Sequence, residues 1–294
     1  MSLRGVIPPL LTPFRTDGSL DLPAFEANLE SLLAFDLAGF LVLGSNGEAG
    51  ALDEQEKLDL VTSARRRVGD RFVMAGTGLE STRGTIDLTR KAAERGADAA
   101  LVLTPCFYRA HLTVEALRRH FEAVADASPI PVYLYSVPAF TALPWPAELS
   151  ALLASHPRIA GMKESSGDLG LLGRIIGSVP PSFEVACGSA PVFYPALCTG
   201  ASGGVLAVTN CAPGPAVALY RAFLAGDHTR ARRIQEALAP LAVAVTVTHG
   251  IAGLKAANEI AGRRGGSVRA PLLDVPPRVR EEIRPLLERA EAAV

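Results

Sequence analysis

Eight short apolar or β-branched runs recur along this chain, each ending in Gly, Pro, Ser or Thr: "GVIPPLLTP" (5–13), "GFLVLGSNG" (39–47), "RFVMAGTG" (71–78), "ADAALVLTP" (97–105), "IPVYLYSVP" (130–138), "RIAGMKESS" (158–166), "FEVACGS" (183–189) and "ASGGVLAVT" (201–209). A run of this length bounded by turn residues reads as a buried strand. Helical patterns fill the gaps. After Asp21, the apolar residues Phe25, Leu29, Leu32 and Leu33 fall on one helix face. "LDEQEKLDLVTSARRRV" (52–68) opens with acids and closes with arginines, the order the helix dipole favours. "ESTRGTIDLTRKAAERGAD" (80–98) meets a stop at Gly96.

Strand and helix alternating eight times predict an α/β fold, the TIM (β/α)8 barrel. A doubly wound sheet would be expected to carry a Gly-rich dinucleotide turn after its first strand, and "PPLLTPF" (8–14) is nothing like one. At 294 residues, 49% of them hydrophobic, the chain is long enough for such a barrel and can fill its core. After the eighth run the pattern is helical: "GPAVALYRAFLAGD" (214–227), "HTRARRIQEALAPLAVAV" (228–245), "GIAGLKAANEIAG" (250–262) and "PPRVREEIRPLLERAEAAV" (276–294). The expected organisation is a barrel over 1–212, then its last helix and a helical extension packed on it over 213–294.

Lys+Arg (29) and Asp+Glu (30) nearly cancel, so no basic excess is available to hold nucleic acid. The short clusters Arg65-Arg66-Arg67 and Arg263-Arg264 are expected on solvated helix faces or ends. Cys106, Cys187, Cys198 and Cys211 form no C-x-x-C pair and no zinc spacing, as in a cytoplasmic protein with reduced thiols. The opening "MSLRGVIPPLLTPF" has no apolar signal core, so no export is expected. "LAPLAVAVTV" (238–247) is too short to span a bilayer and contains a proline; it reads as a core or subunit-contact helix.

In a barrel of this kind the active site lies at the C-terminal ends of the strands. The polar and aromatic residues there are Ser45, Asn46 and Glu48 after the second run; Thr104, Cys106, Phe107 and Tyr108 after the fourth; Tyr133, Tyr135 and Ser136 on the fifth; Lys163, Glu164, Ser165 and Ser166 on the sixth; Gly188 and Ser189 after the seventh; Thr209 and Asn210 after the eighth. Lys163 is the only lysine among them. Strand side chains alternate, so if Met162 faces the helices, Lys163 faces the barrel interior. Burial favours the neutral form of an amine, and a neutral amine attacks a carbonyl to give a Schiff base. Spacing alone fits a solvated strand-end lysine better. Tyr135 is either a core tyrosine or a proton carrier one strand away. "GSNGE" (44–48) is either an ordinary Asn-Gly turn or a nest of N–H groups for a carboxylate.

None of the five histidines, His111, His120, His156, His228 and His249, occupies a strand end, and no paired metal-ligand spacing occurs. Paired strand-end carboxylates suited to glycoside hydrolysis are missing, as is a Gly-rich phosphate loop. Lysine-based carbonyl chemistry is the best remaining fit.

"GSNGE" (44–48), "YSVP" (135–138), "GMKES" (161–165) and the opening "GVIPPLLTPF" (5–14) resemble the dihydrodipicolinate synthase / N-acetylneuraminate lyase superfamily over essentially the whole chain. Its members are barrel enzymes that form a Schiff base with a 2-oxo acid, usually pyruvate. "ESTRGTIDLT" (80–89), "GADAALVLTPCFYR" (96–109) and "SPIPVYLYSVPA" (128–139) are most similar to its 4-hydroxy-2-oxoglutarate aldolase branch. The synthase branch usually has two threonines where this chain has Ser45-Asn46, and an arginine for the aspartate semialdehyde carboxylate where it has Phe140.

The resemblance implies that Lys163 attacks the C2 ketone and that Tyr135, aided by the Ser45 hydroxyl, shuttles protons. The Ser45 and Asn46 amides would hold the C1 carboxylate and Ser165 the distal one, with Gly188 and Leu206 completing the substrate-binding set. It implies pyruvate and an aldehyde as reaction partners, no metal or organic cofactor, and a homotetramer of tight dimers. The synthase activity, condensing pyruvate with aspartate semialdehyde, is the alternative; a non-catalytic keto-acid-binding barrel is a third reading. Three positions depart from the family pattern. Phe107 replaces a tyrosine that often reaches the neighbouring subunit's site, Phe140 replaces a polar residue, and Ala142 replaces a glycine. The last two point toward a larger or more apolar aldehyde.

Overall fold

In the computed structural model, which describes residues 2–294, the eight runs become eight parallel strands: β1 (Gly5–Ile7), β2 (Phe40–Val42), β3 (Val73–Gly76), β4 (Ala99–Leu103), β5 (Val132–Ser136), β6 (Ile159–Glu164), β7 (Glu184–Cys187) and β8 (Gly203–Val205). Their hydrogen-bonded order, β1-β8-β7-β6-β5-β4-β3-β2, rolls the sheet into a barrel. At the β1–β2 seam the ladder shrinks to a bridge between Pro9 and Leu41. There the Leu41 N–H donates to the Pro8 carbonyl (3.0 Å) and the Leu10 N–H to the Leu41 carbonyl (2.8 Å). Pro8 and Pro9 have no N–H of their own to extend it.

The strand-linking helices are α1 (Leu22–Leu32), α2 (Glu54–Val68), α3 (Thr82–Glu94), α4 (Val114–Ala127), a single turn α5 (Pro138–Thr141), α6 (Ala147–Leu153), α7 (Leu169–Ser178), α8 (Phe193–Thr199) and α9 (Pro213–Leu224). The extension is α10 (His228–Val243), α11 (Gly250–Ile260) and α12 (Pro277–Glu291). Local chemistry sets the helix starts. Asp21 accepts from Ala24 N–H, Ser81 from Gly84 N–H, and Asp53 and Glu56 form a reciprocal capping box.

Period-two alternation sorts the strand residues into two cores. Ile7, Leu41, Met74, Leu101, Tyr133 and Val205 fill the barrel interior. Phe40, Val42, Val102, Leu134, Met162 and Val185 pack outward against the helices. "LAPLAVAVTV" ends α10 and runs into a π-turn (Ala244–Thr248); Leu238, Leu241 and Val245 are buried while Val247 projects into solvent. Among the described residues no helix is long and apolar enough to cross a membrane.

The arginine clusters are not simply solvated. Arg65 donates to the Gly96 carbonyl (2.8 Å) and pairs with Asp98, fastening the end of α2 to the start of β4. Arg263 donates to the Cys211 carbonyl (3.3 Å) and to Ser31 Oγ (3.0 Å). Both guanidiniums meet carbonyls left over at loop ends, partners that sequence spacing does not reveal.

Candidate active site

The register of β5, β6 and β7 sets Tyr135, Lys163 and Ala186 side by side, with Leu134 and Met162 turned to the helices. Lys163 therefore points into the barrel, where it is only 2% exposed. Its Nζ donates to Tyr135 Oη at 3.4 Å and lies 4.4 Å from the centre of that ring. Tyr135 Oη in turn shares a proton with Ser45 Oγ at 3.2 Å. Amine, phenol and hydroxyl, from three separate elements, stand in one line.

Ser45 sits in a one-turn 3-10 segment, Ser45–Gly47. The turn uses the Gly47 and Glu48 N–H groups, which donate to the carbonyls of Gly44 (3.0 Å) and Ser45 (3.1 Å). The N–H groups of Ser45 and Asn46 precede that pattern and remain available to an anion.

Ser165 Oγ is buried and unpartnered among the described residues. It faces Gly188: a Cβ on Gly188 would lie 1.8 Å from Ser165 Oγ and 3.0 Å from Lys163 Cε, so only glycine fits. The Leu206 side chain, by contrast, turns away from this space. Val205 takes the inward position on β8, so the Leu206 side chain turns outward into the helix-facing core, fully buried. Glu164 also faces away from Lys163. It accepts from Ser166 N–H (2.8 Å), and burial pushes its carboxyl above the usual range.

Glu48 has a role the sequence did not expose. Its carboxylate pairs with Lys255 of α11 at 2.5 Å and accepts the Arg269 N–H at 2.9 Å. Lys255 also donates to the Ser267 carbonyl (2.6 Å), and Arg269 forks onto Glu56 (2.6 and 2.7 Å). The Lys255 amine and Glu48 carboxylate are almost fully buried. Burial lowers the lysine's pKa, opposed by the Glu48 charge. Lys255 is thus a second buried lysine, but carboxylate and carbonyl already occupy it. Neither Lys255 nor Arg269 stood out in the sequence, since both partners lie far along the chain from the turn they hold.

A cavity of about 550 Å³ opens above Tyr135 and Ser45. Leu79, Leu103, Phe140, Ile251 and Leu272 line it, and Thr104 Oγ1, buried and unpartnered among the described residues, borders it. Phe140, 60% exposed, stands at its rim on α5. The three non-glycine residues in left-handed backbone all lie on loops at this end: Leu43 (φ 61°), Glu48 (φ 53°) and Ala142 (φ 50°). Strain of this kind concentrates at functional sites. Phe107 lies outside the line of hydroxyls, 75% exposed and edge-on to Tyr108 (4.9 Å), on a loop whose Cys106 and Phe107 N–H groups donate to Glu80 (3.0 and 2.8 Å).

Fold and site together describe a class of enzyme, the (β/α)8 lyases that work through a lysine Schiff base. The model of the dihydrodipicolinate synthetase family matches residues 2–290, and this chain belongs to that family. The 4-hydroxy-tetrahydrodipicolinate synthase of Exiguobacterium sibiricum is 38% identical over 265 residues, 90% of each chain. That of Methanoculleus marisnigri is 36% identical over 287 residues, 96% of this chain and 98% of its own. Among solved structures, dihydrodipicolinate synthase from Thermotoga maritima superposes with a TM-score of 0.94 at 28% identity over 100% of both chains. A prophage protein of the same family from E. coli K12, solved with pyruvate, does so with a TM-score of 0.93 at 29% identity over 99% of each.

Proposed function

We propose that the chain is a pyruvate-dependent aldolase whose Schiff-base residue is Lys163, and that it cleaves 4-hydroxy-2-oxoglutarate to pyruvate and glyoxylate. The observation that carries the chemistry is the hydrogen-bonded series Lys163–Tyr135–Ser45, buried at its lysine and tyrosine. Lys163 adds to the C2 ketone and Tyr135 moves the protons for carbinolamine formation and loss of water, with Ser45 as the next group in the relay. The free N–H groups of Ser45 and Asn46 receive the C1 carboxylate. Tyr135 then takes the C4 hydroxyl proton, the C3–C4 bond breaks with its electrons drawn into the iminium, and glyoxylate leaves. Protonation of the enamine and hydrolysis return pyruvate and free Lys163.

Phe140 counts against aspartate semialdehyde as co-substrate. Glyoxylate is short, and its carboxylate ends beside Lys163, where Ser165 Oγ is unspent. Aspartate semialdehyde is longer and carries its carboxylate further from the aldehyde carbon, and Phe140 offers it neither charge nor hydrogen bond. A carboxylate that leaves water for an apolar neighbour without a cation loses affinity. The synthase reaction is the second reading, favoured by the names of relatives that share over a third of their residues with this chain.

Borohydride trapping with pyruvate, followed by peptide mapping, tests the first step. An adduct on Lys163 is expected, and its absence from a folded protein overturns the assignment. Cleavage of 4-hydroxy-2-oxoglutarate is then compared with condensation of pyruvate and aspartate semialdehyde; turnover of the second alone reverses the order of the two readings. A trapped adduct with neither reaction supports the non-catalytic binder instead. We also propose a cytoplasmic homotetramer. The free thiols and the exposed Phe107–Tyr108 pair support this, and light scattering on the purified protein checks the assembly.

A further inference from the structure

The charged groups around the cavity are nearly all engaged. Glu48 holds Lys255, Arg269 holds Glu56, and Glu80 holds the Cys106 and Phe107 N–H groups. Lys57 also lines the cavity, on the turn of α2 that carries Asp53, Glu54 and Glu56. The remaining wall is hydrocarbon: Leu103, which pairs with Tyr135 across the β4–β5 ladder, then Leu79, Phe140, Ile251 and Leu272. Against this wall stands one unspent hydroxyl, Thr104 Oγ1. About 550 Å³ far exceeds what a two-carbon aldehyde fills.

We infer that the site has a further activity, the condensation of pyruvate with aldehydes that carry an apolar chain or ring. An apolar aldehyde has one polar atom and a hydrocarbon tail, and the cavity offers three hydroxyls, on Ser45, Tyr135 and Thr104, and a leucine-phenylalanine wall. The inference rests on the Lys163 Schiff base proposed above. The pyruvate enamine carbon attacks the aldehyde carbon, forming one C–C bond. The aldehyde oxygen takes the Tyr135 proton, and water hydrolyses the iminium to release a 4-hydroxy-2-oxo acid and free lysine. No redox change occurs. Phe140 is the specificity-determining residue for this activity.

The test is a homologous series, propanal to hexanal, with benzaldehyde, aspartate semialdehyde and glyoxylate, each condensed with pyruvate while 2-oxo acid product is measured. Each methylene buried is worth about fourfold, so kcat/KM is expected to climb by that step along the series until the cavity fills. Phe140→Arg is expected to lower the ratio of kcat/KM for pentanal over aspartate semialdehyde at least a hundredfold, and Phe140→Leu to keep most of it. A flat series, a preference for aspartate semialdehyde seated at Lys57, or an unchanged ratio in Phe140→Arg overturns the inference. Each result is taken alongside borohydride trapping. An adduct with no apolar turnover overturns the inference alone; no adduct overturns the Schiff-base assignment and the inference with it.

Discussion

Replacing Lys255 by methionine isolates the most heavily buried charge pair in the molecule. The side chains are close in volume, so little cavity forms. What changes is that the Glu48 carboxylate, itself buried, loses its ammonium at 2.5 Å and keeps only the Arg269 N–H at 2.9 Å. Removing one partner of a buried pair costs about 3–5 kcal/mol, because the other charge stays desolvated. For a chain of this size that corresponds to roughly 5–8 °C in Tm. Glu48→Gln in the Lys255→Met background removes the stranded charge, so the double variant is expected to recover part of the loss, with a coupling of about 1–3 kcal/mol. Thermal and urea unfolding followed by circular dichroism measure both. Glu48 also closes the turn that presents Ser45, so kcat of Lys255→Met should fall while the protein remains folded. A single variant within 1 kcal/mol of the parent, or strict additivity in the double, would refute the claim that this pair is dry and coupled.

Other outcomes follow from local geometry. Tyr135→Phe removes the middle of the proton line and should lower kcat about 10²- to 10⁴-fold in steady-state assays. Ala142→Gly relieves a left-handed alanine at the end of α5; the gain, net of glycine's greater unfolded-state entropy, should be about 0.5–1 kcal/mol in urea melts. His120 is buried with Nδ1 on Thr82 Oγ1 (2.9 Å), and burial pulls its pKa down to about 4. The unfolded chain gains that proton near pH 6.5 while the native chain does not, so stability falls as pH drops from 6.5 toward 4, by about 2 kcal/mol between pH 7 and 5. His120→Leu should flatten that part of the stability–pH curve. Phe107→Tyr should raise turnover if the hydroxyl relay is truncated in this chain, and an unchanged kcat rejects that idea.

Much of this was legible in one sequence because strands of a parallel barrel announce themselves locally. A run such as "IPVYLYSVP" carries its own burial pattern and its own stop, and alternation from Met162 settles which way Lys163 points once the barrel closes. Leu206 shows where that logic needed one more step. It lies near a strand end, as Ser45 and Ser165 do, but alternation from Val205 turns it outward. The role of Glu48 was out of reach for a different reason. Its partners Lys255 and Arg269 belong to the extension, and no local period links a carboxylate to an amine across the fold. Arg65 and Arg263 were hidden likewise, because carbonyls at loop ends leave no mark in side-chain patterns.

The narrow seam between β1 and β2 changes what the C-terminal helices are for. Backbone pairing there amounts to a bridge at Pro9 and Leu41, flanked by the Ala38 N–H on the Val6 carbonyl (3.0 Å), and side chains reinforce it: Thr12 Oγ1 donates to the Gly47 carbonyl (2.7 Å), and Lys255 and Arg269 grip Glu48. Mechanically, the extension is a clasp on the β2 side of that seam, and the turn that carries Ser45 sits in its grip. Removing the chain from α11 onward would therefore strand the buried Glu48 carboxylate and loosen the turn that presents Ser45.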